Sequence, residues 1–253
     1  MGKIIAIANQ KGGVGKTTTS VNLGACLAEM GKRVLVVDID PQGNTTSGLG
    51  IDKKMVDKCV YDVLIGGVPV KQVLQPTRLP HLQVAPSTLD LAGAEIELVS
   101  MISREHRLKK ALAEVRDEFD YILIDCPPSL GLLTINALTS ADSLLIPIQC
   151  EFYALEGLGQ LMNTVFLVQA NLNPGLKIEG VVLTMFDGRT NLAIQVVEEV
   201  KRYFRNKVYR TIIPRNVRLS EAPSHGKPII IYDPKSKGAE VYTELAKEVA
   251  RGA

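Results

Sequence analysis

The chain has 253 residues, 46% of them hydrophobic and 22% charged, with a formal net charge of +2. That is enough for an ordinary α/β domain with a sizeable core, and the near-balanced charge names no class of partner. No stretch is long and apolar enough to span a bilayer, and Cys26, Cys59, Cys126 and Cys150 are scattered without a CxxC pair, which leaves a zinc or redox motif unsupported.

The thiols are expected to be buried in a reducing cytosol. His81, His106 and His225 share no metal spacing. No leader peptide is expected, because the first apolar run stops at Asn9. With neither a leader nor a membrane span expected, a cytoplasmic location is expected.

Lys3 to Thr19 reads KIIAIANQKGGVGKTTT. Ile4 to Ile7 form a β-branched apolar run, the pattern of a buried strand. Val21, Leu23, Leu27 and Met30 then recur at helical spacing up to Gly31, a natural stop. Gly12, Gly13 and Gly15 therefore sit in a turn between a strand and a helix start. Such glycines let backbone N–H groups close on an anion, and the helix start adds unpaired donors and positive potential. Lys16 suits the β- and γ-phosphates, and the Thr17 hydroxyl suits Mg²⁺. A bland Gly-rich turn and a dinucleotide-binding turn are the alternatives. The latter lacks its third glycine and leaves Lys16 without a task.

A second apolar run, Arg33 to Asp38, ends in Asp38-Ile39-Asp40-Pro41-Gln42. Carboxylates at the end of a parallel strand beside a phosphate loop are placed for metal and water chemistry, or else are turn-forming caps. Gly43 to Gly50 reads as a loop or short helix start. Val60 to Ile65 suggests a short helix, Leu82 to Ala85 a short strand, and Leu89 to Ile102 a helix with Leu91, Ala94, Ile96, Leu98 and Val99 as its apolar residues. Ser103 to Glu118 continues as a charged helix with Leu108, Leu112 and Val115 inward.

Tyr121 to Pro128, YILIDCPP, is a strand ending in Asp125, expected to hold Mg²⁺ through a water. Ser129 to Ser140 reads as a helix, Leu144 to Ile148 as a strand bounded by Pro147, and Leu155 to Ala170 as a long helix. Gly180 to Phe186 is a strand, Leu192 to Phe204 a helix, Val208 to Pro214 a strand with Arg215 to Arg218 as its exit, and Ala239 to Ala250 a terminal helix. Alternating short strands and longer helices predict an α/β fold: a mostly parallel twisted sheet with helices on both faces, in one domain spanning 1–253.

The loop departs from the standard motif in having Gln10 where glycine is usual, followed by Lys11. KGGVGKTT at 11–18, DIDPQGN at 38–44, YILIDCPPSLG at 121–131 and IPRNVRLSEAPSHGKPI at 213–229 resemble the deviant Walker A ATPases, and among them the chromosome-partitioning ATPases of the ParA/Soj type. The resemblance implies a P-loop NTPase fold, with ATP and Mg²⁺ bound by Lys11, Gly12, Gly13, Val14, Gly15, Lys16, Thr17 and Thr18. It implies an ATP-bound sandwich homodimer, with Lys11 reaching the partner subunit's nucleotide and Gly12 letting the two loops approach. Pro214 and Asn216 would line the adenine pocket. Asp38 would stand behind the metal site. Asp40 is the candidate for positioning or activating the attacking water.

The family further implies non-specific binding of double-stranded DNA by the dimer on the nucleoid. Slow hydrolysis would be stimulated by a ParB-type (Spo-type) centromere-binding protein, and the monomer could act on a replication initiator, DnaA. Residues 187–237 carry eleven bases against five acids, a local +6. Arg189 and Arg218 leave loops beside the expected nucleotide contacts and are the candidates for DNA contact. Lys201, Arg202 and Arg205 fit a solvated face as well. A membrane-associated division-site ATPase of the MinD type shares the fold, but would need a basic amphipathic tail. Here the tail carries Glu240, Glu244 and Glu248, so no membrane is expected. An iron–sulfur ATPase would need more than Cys126 beside a motif. A small-molecule ligase on the same fold would show metabolite-stimulated turnover.

Overall fold

The computed structural model describes residues 1–151 and 156–252. Its strands are β1 (Lys3–Ile7), β2 (Val34–Asp38), β3 (Gln75–Pro76), β4 (Leu82–Ala85), β5 (Tyr121–Asp125), β6 (Ser143–Gln149), β7 (Lys177–Phe186) and β8 (Val208–Pro214). They form one sheet in the order β3-β4-β2-β5-β1-β6-β7-β8, parallel except for the antiparallel edge pair β3–β4. The helices are α1 (Lys16–Glu29), α2 (Asn44–Gly48), α3 (Val60–Leu64), α4 (Leu91–Glu97), α5 (Arg107–Ala113), α6 (Leu132–Ser140), α7 (Glu156–Asn171), α8 (Asn191–Phe204), α9 (Val217–Glu221), α10 (Ile229–Tyr232) and α11 (Lys237–Arg251).

The side-chain alternation of each strand divides the core between two faces. Ile5 and Ile7 of β1 and Val34 and Val36 of β2 pack under α1 and α11. Ile4 and Ala6, with Leu35 and Val37, pack under the layer that includes α5, α6 and α7. The predicted doubly covered parallel sheet is therefore present. The four cysteines are free and buried.

The boundaries depart from expectation where local chemistry overrides periodicity. The helix expected over 89–102 is α4 followed by a 3-10 turn, Leu98–Ser100. Only one of its apolar stripes is buried, since Ile96 is 78% and Val99 57% exposed. The charged helix expected over 103–118 shrinks to α5. Ser103 adopts a left-handed φ of 54° that breaks the run, and the Arg107 guanidinium turns aside to cap the Leu64 and Ile65 carbonyls of α3. Pro147 lies inside β6 rather than at its end. The neighbouring β1 pairs only as far as Leu145, so an absent N–H costs no ladder bond there. The predicted strand exit at 215–218 becomes α9, capped by Asn216. The expected start of the 155–170 helix at Leu155 lies outside the described residues.

The candidate nucleotide site

The carboxyl ends of β1, β2 and β5 meet where the strand order reverses, the usual ligand crevice of an open parallel sheet. β1 delivers the loop 9–15. Gly13 and Gly15 adopt positive φ, 74° and 89°, conformations that disfavour any residue with a Cβ. Gly15 is the N-cap of the 14-residue α1, with no side-chain cap and no acidic residue in its first turn. Its first amide groups are thus left for an anion.

The loop is fastened from both sides. Asn9, buried, accepts from the Lys11 amide (3.0 Å) and donates to the Pro147 carbonyl (2.8 Å). Thr184 on β7 donates to the Val14 carbonyl (2.8 Å). Lys16 is buried, and its ammonium donates to the Lys11 carbonyl at 3.1 Å. Burial pulls its pKa down against the opposing attraction of Asp125 and Asp40. A bound phosphate would supply the anion that such a desolvated cation lacks.

β2 and β5 set Asp38 and Asp125 side by side in register. Asp125 is fully buried and accepts from the hydroxyls of Thr17 (2.9 Å), Thr45 (2.7 Å) and Ser20 (2.8 Å). Asp38 accepts from the Thr46 amide (2.8 Å), the Thr46 hydroxyl (2.7 Å) and the Asp40 amide (3.2 Å). Burial, with repulsion from Asp125 in second place, pushes the Asp38 carboxyl up; burial likewise raises Asp125 against three hydroxyl donors. Two desolvated carboxylates with hard oxygen neighbours suit Mg²⁺ in their donor chemistry. Among the described residues no three His, Cys, Asp or Glu converge as a metal cage. Asp40 is buried, and its carboxylate accepts from the Gln42 amide (2.9 Å).

Beyond the loop, a cleft of about 340 Å³ is lined by residues that include Gly15, Thr18, Thr184, Pro214, Asn216 and Tyr242. The sequence-predicted Pro214 and Asn216 are thus beside the loop, and the Asn216 side-chain oxygen also caps α9 by accepting from the Arg218 and Leu219 amides. Met185, also in the cleft lining, has a positive φ of 52°, the kind of backbone strain that collects at sites. Arg189 is paired with Asp187 (2.6 Å) and Arg218 with Glu221 (2.9 Å) and Asp233 (3.5 Å), all on the surface. Arg205 falls in the turn after α8 rather than within it.

Sequence reasoning missed Asn9, Ser20, Thr45, Thr46 and Thr184. The run of small polar residues after Asp40 was the available signal for two of them. Asn9 and Thr184 act through strands distant in sequence and left none.

A glycine loop on a helix N-terminus, a buried lysine, and two carboxylates ending adjacent strands define the chain as a P-loop ATPase of the deviant class. Residues 2–178 match the family model described as an AAA domain. The sporulation initiation inhibitor protein Soj of Bacillus subtilis (strain 168) is 72% identical over 250 residues, spanning 99% of each chain. The chromosome partitioning protein ParA of Myxococcus xanthus is 59% identical, over 99% of this chain and 89% of that protein. A Mycobacterium smegmatis structure named as cobyrinic acid a,c-diamide synthase, with an ATP analogue and magnesium, is 41% identical, covers 99% of this chain and 95% of its own, and superposes with a TM-score of 0.87. The chain belongs to the Soj/ParA family of chromosome-partitioning ATPases.

Proposed function

We propose that this ATPase hydrolyses ATP to ADP and phosphate in a cycle that switches a homodimer on and off double-stranded DNA. The observation that carries the reading is the convergence of the loop, Lys16, Thr17, Asp125, Asp38 and Asp40 on one crevice. The Mycobacterium structure holds an ATP analogue and magnesium on the same fold. The amides of Gly12 to Thr18 and the Lys16 ammonium bind the phosphates. The Thr17 hydroxyl would hold Mg²⁺ directly and Asp125 through a water, with Asp38 behind them. When bound, the ion supplies positive charge against the charge that develops on the phosphate oxygens. Pro214 and Asn216 face the base end.

Asp40 orients the water that attacks the terminal phosphoryl group. Its carboxylate is already anchored on the Gln42 amide, so it acts by position more than by basicity. Lys11 reaches the partner subunit's nucleotide, a trans cation of a kind worth about 10³–10⁵ in rate in related hydrolases. Gly12 and Gly13 are exposed, which leaves them free to meet a second subunit's loop.

Each subunit then presents Arg189 and Arg218 to DNA. Dimerisation doubles this footprint without base contacts, which makes ATP the switch. A ParB-type partner stimulates hydrolysis and release, and a role of the monomer toward a replication initiator follows the same family reading. No helix among the described residues is long and apolar enough to cross a membrane. The diamide synthase name of one structural neighbour favours a ligase as a second reading. Greater identity over the whole chain supports the partitioning one.

The test is binding to a non-specific duplex with ATP, ADP or no nucleotide, across a salt series, with Asp40→Ala to block turnover. ATP-dependent, sequence-indifferent binding is expected. At about three phosphates per subunit, the dimer's log–log salt slope would be about −5. An ATP-driven dimer that ignores DNA at low salt would defeat the reading.

A further inference from the structure

The segment from Leu89 through Ser100 (a turn, α4 and the 3-10 turn that follows it) carries apolar residues on two sides. Leu91, Ala94 and Leu98 are buried in the core. Leu89, Ala92, Ile96 and Val99 form a second stripe that faces outward, with Leu89 70% and Ile96 78% exposed, and Ile102, 91% exposed, extends it. Ala92 and Ile96 stand on α4 itself, with Leu89 in the turn before it and Val99 in the 3-10 turn after it. A contiguous exposed apolar stripe marks an interaction site.

Charge identifies the occupant. Residues 88–102 contain Asp90, Glu95 and Glu97 and no Lys, Arg or His of their own; the Arg104 guanidinium on the Val99 carbonyl and His106, Arg107 and Lys110 beside Ile102 lie at the far end, so the acidic part of the stripe is that around Ile96. Asp90 and Glu97, exposed beside Ile96, disfavour DNA and anionic lipid at that part. A cationic helix with its own apolar stripe complements both features.

The stripe is also wired to the site. Ser87, immediately before it and fully buried, donates from Oγ to the Asp40 carbonyl (2.8 Å). The Ser87 amide donates to Thr46 Oγ1 (2.9 Å), which in turn donates to Asp38 (2.7 Å). Gly43 packs so closely that a Cβ there would lie 2.7 Å from the Ser87 carbonyl oxygen. A shift of this run against the sheet is therefore passed to the Asp40 backbone instead of being absorbed in a gap.

We propose that the outer stripe from Leu89 to Ile102 is the docking surface for a basic helix of the protein that stimulates hydrolysis, and that Ser87 carries the docking to Asp40. The inference rests on the partner-stimulated reading given above. The experiment measures ATP turnover against the concentration of the ParB-type partner from the same organism, in the presence of DNA. It compares the unaltered chain, Ile96→Lys/Val99→Lys, the milder Ile96→Ser, and Ser87→Ala.

The lysine pair should keep basal turnover and raise the partner concentration for half-maximal stimulation about tenfold or more, as loss of a central anchor does. Ile96→Ser should move in the same direction by less and serves if the lysine pair fails to fold. Ser87→Ala should keep that concentration and lower the maximal stimulation severalfold. If the unaltered chain is not stimulated at all, the partner reading itself fails. If it is stimulated and the Ile96 variants respond alike, the docking surface is overturned. Loss of the ATP-driven dimer in the lysine pair, seen by sedimentation velocity, would assign the stripe to a second copy and overturn it too. A fully stimulated Ser87→Ala would remove the coupling to Asp40.

Discussion

Gly12→Val separates what one subunit needs from what two subunits need. Gly12 is exposed and, unlike Gly13 and Gly15, has no positive φ; a Cβ built there meets nothing nearer than Pro128 Cβ at 3.9 Å. A side chain at Gly12 therefore meets neither a left-handed backbone nor a crowded Cβ within one chain. The monomer's stability should change by no more than about 0.5 kcal/mol, a melting shift below about 2 °C at this size. At Gly13 or Gly15, by contrast, any Cβ must take the left-handed conformation at about 1–2 kcal/mol, and at Gly15 it would also touch Thr184 at 3.7 Å.

Where two loops meet across a two-fold axis, the Gly12 substitution occurs twice. Overpacking at about 1–3 kcal/mol per site costs the dimer about 2–6 kcal/mol, roughly 30-fold to 10⁴-fold in affinity. The assay is fluorescent-ATP binding together with sedimentation velocity and thermal melting, in an Asp40→Ala background. Nucleotide affinity within about threefold, an unchanged melt and no dimer are expected. A normal ATP-driven dimer would refute the reasoning. So would lost nucleotide binding, because it would place the need for glycine inside one subunit.

Three further outcomes are expected. Thr184→Val removes the donor to the buried Val14 carbonyl, an orphaning that costs about 1–3 kcal/mol and should weaken ATP binding about tenfold or more by titration; unchanged affinity would show that the loop holds itself. Gly180→Ala would drive a Cβ to 2.5 Å from the Tyr209 ring, so unfolding in urea should show a loss of about 1–3 kcal/mol, and an unshifted midpoint would contradict the packing. The third concerns Asp38, whose folded-state pKa is raised toward about 7, above its unfolded value, so the folded chain holds a proton that the unfolded chain has released. Stability of the nucleotide-free protein should accordingly fall as pH rises from the ordinary carboxylate range to about 7, by at most about 1.4 kcal/mol per pH unit. Asp38→Asn should flatten that fall in melts between pH 5 and 8. A fall as steep as in the unaltered chain would argue against a proton on this pair.

The strand–loop–helix at the start of the chain was legible because its chemistry is local. Three glycines, a lysine and two threonines between an apolar run and a helical period admit few other uses, and β1 and α1 lie where that pattern places them. Asp38, Asp40 and Asp125 were legible for the same reason, each ending or following an apolar run. Less was legible between 51 and 118. Short helical pieces there are set by side chains reaching distant carbonyls, as Arg107 does to α3, and periodicity carries no trace of that. The periodicity of 89–102 did suggest a helix, but could not tell the buried stripe from the exposed one, since both consist of the same residue types.

By itself the sequence determined the parallel sheet, the loop and which carboxylates end its strands, because strand period, helix period and turn chemistry act over a few neighbouring residues. Only the tertiary structure decided which carboxylates stand side by side and which hydroxyls serve them. It alone showed that Asn9 and Thr184 pin the loop from β6 and β7, and that Ser87 ties an exposed apolar stripe to Asp40. Those relations join residues as many as 170 positions apart, and they exist only once strand order and register have brought the ends of the strands together.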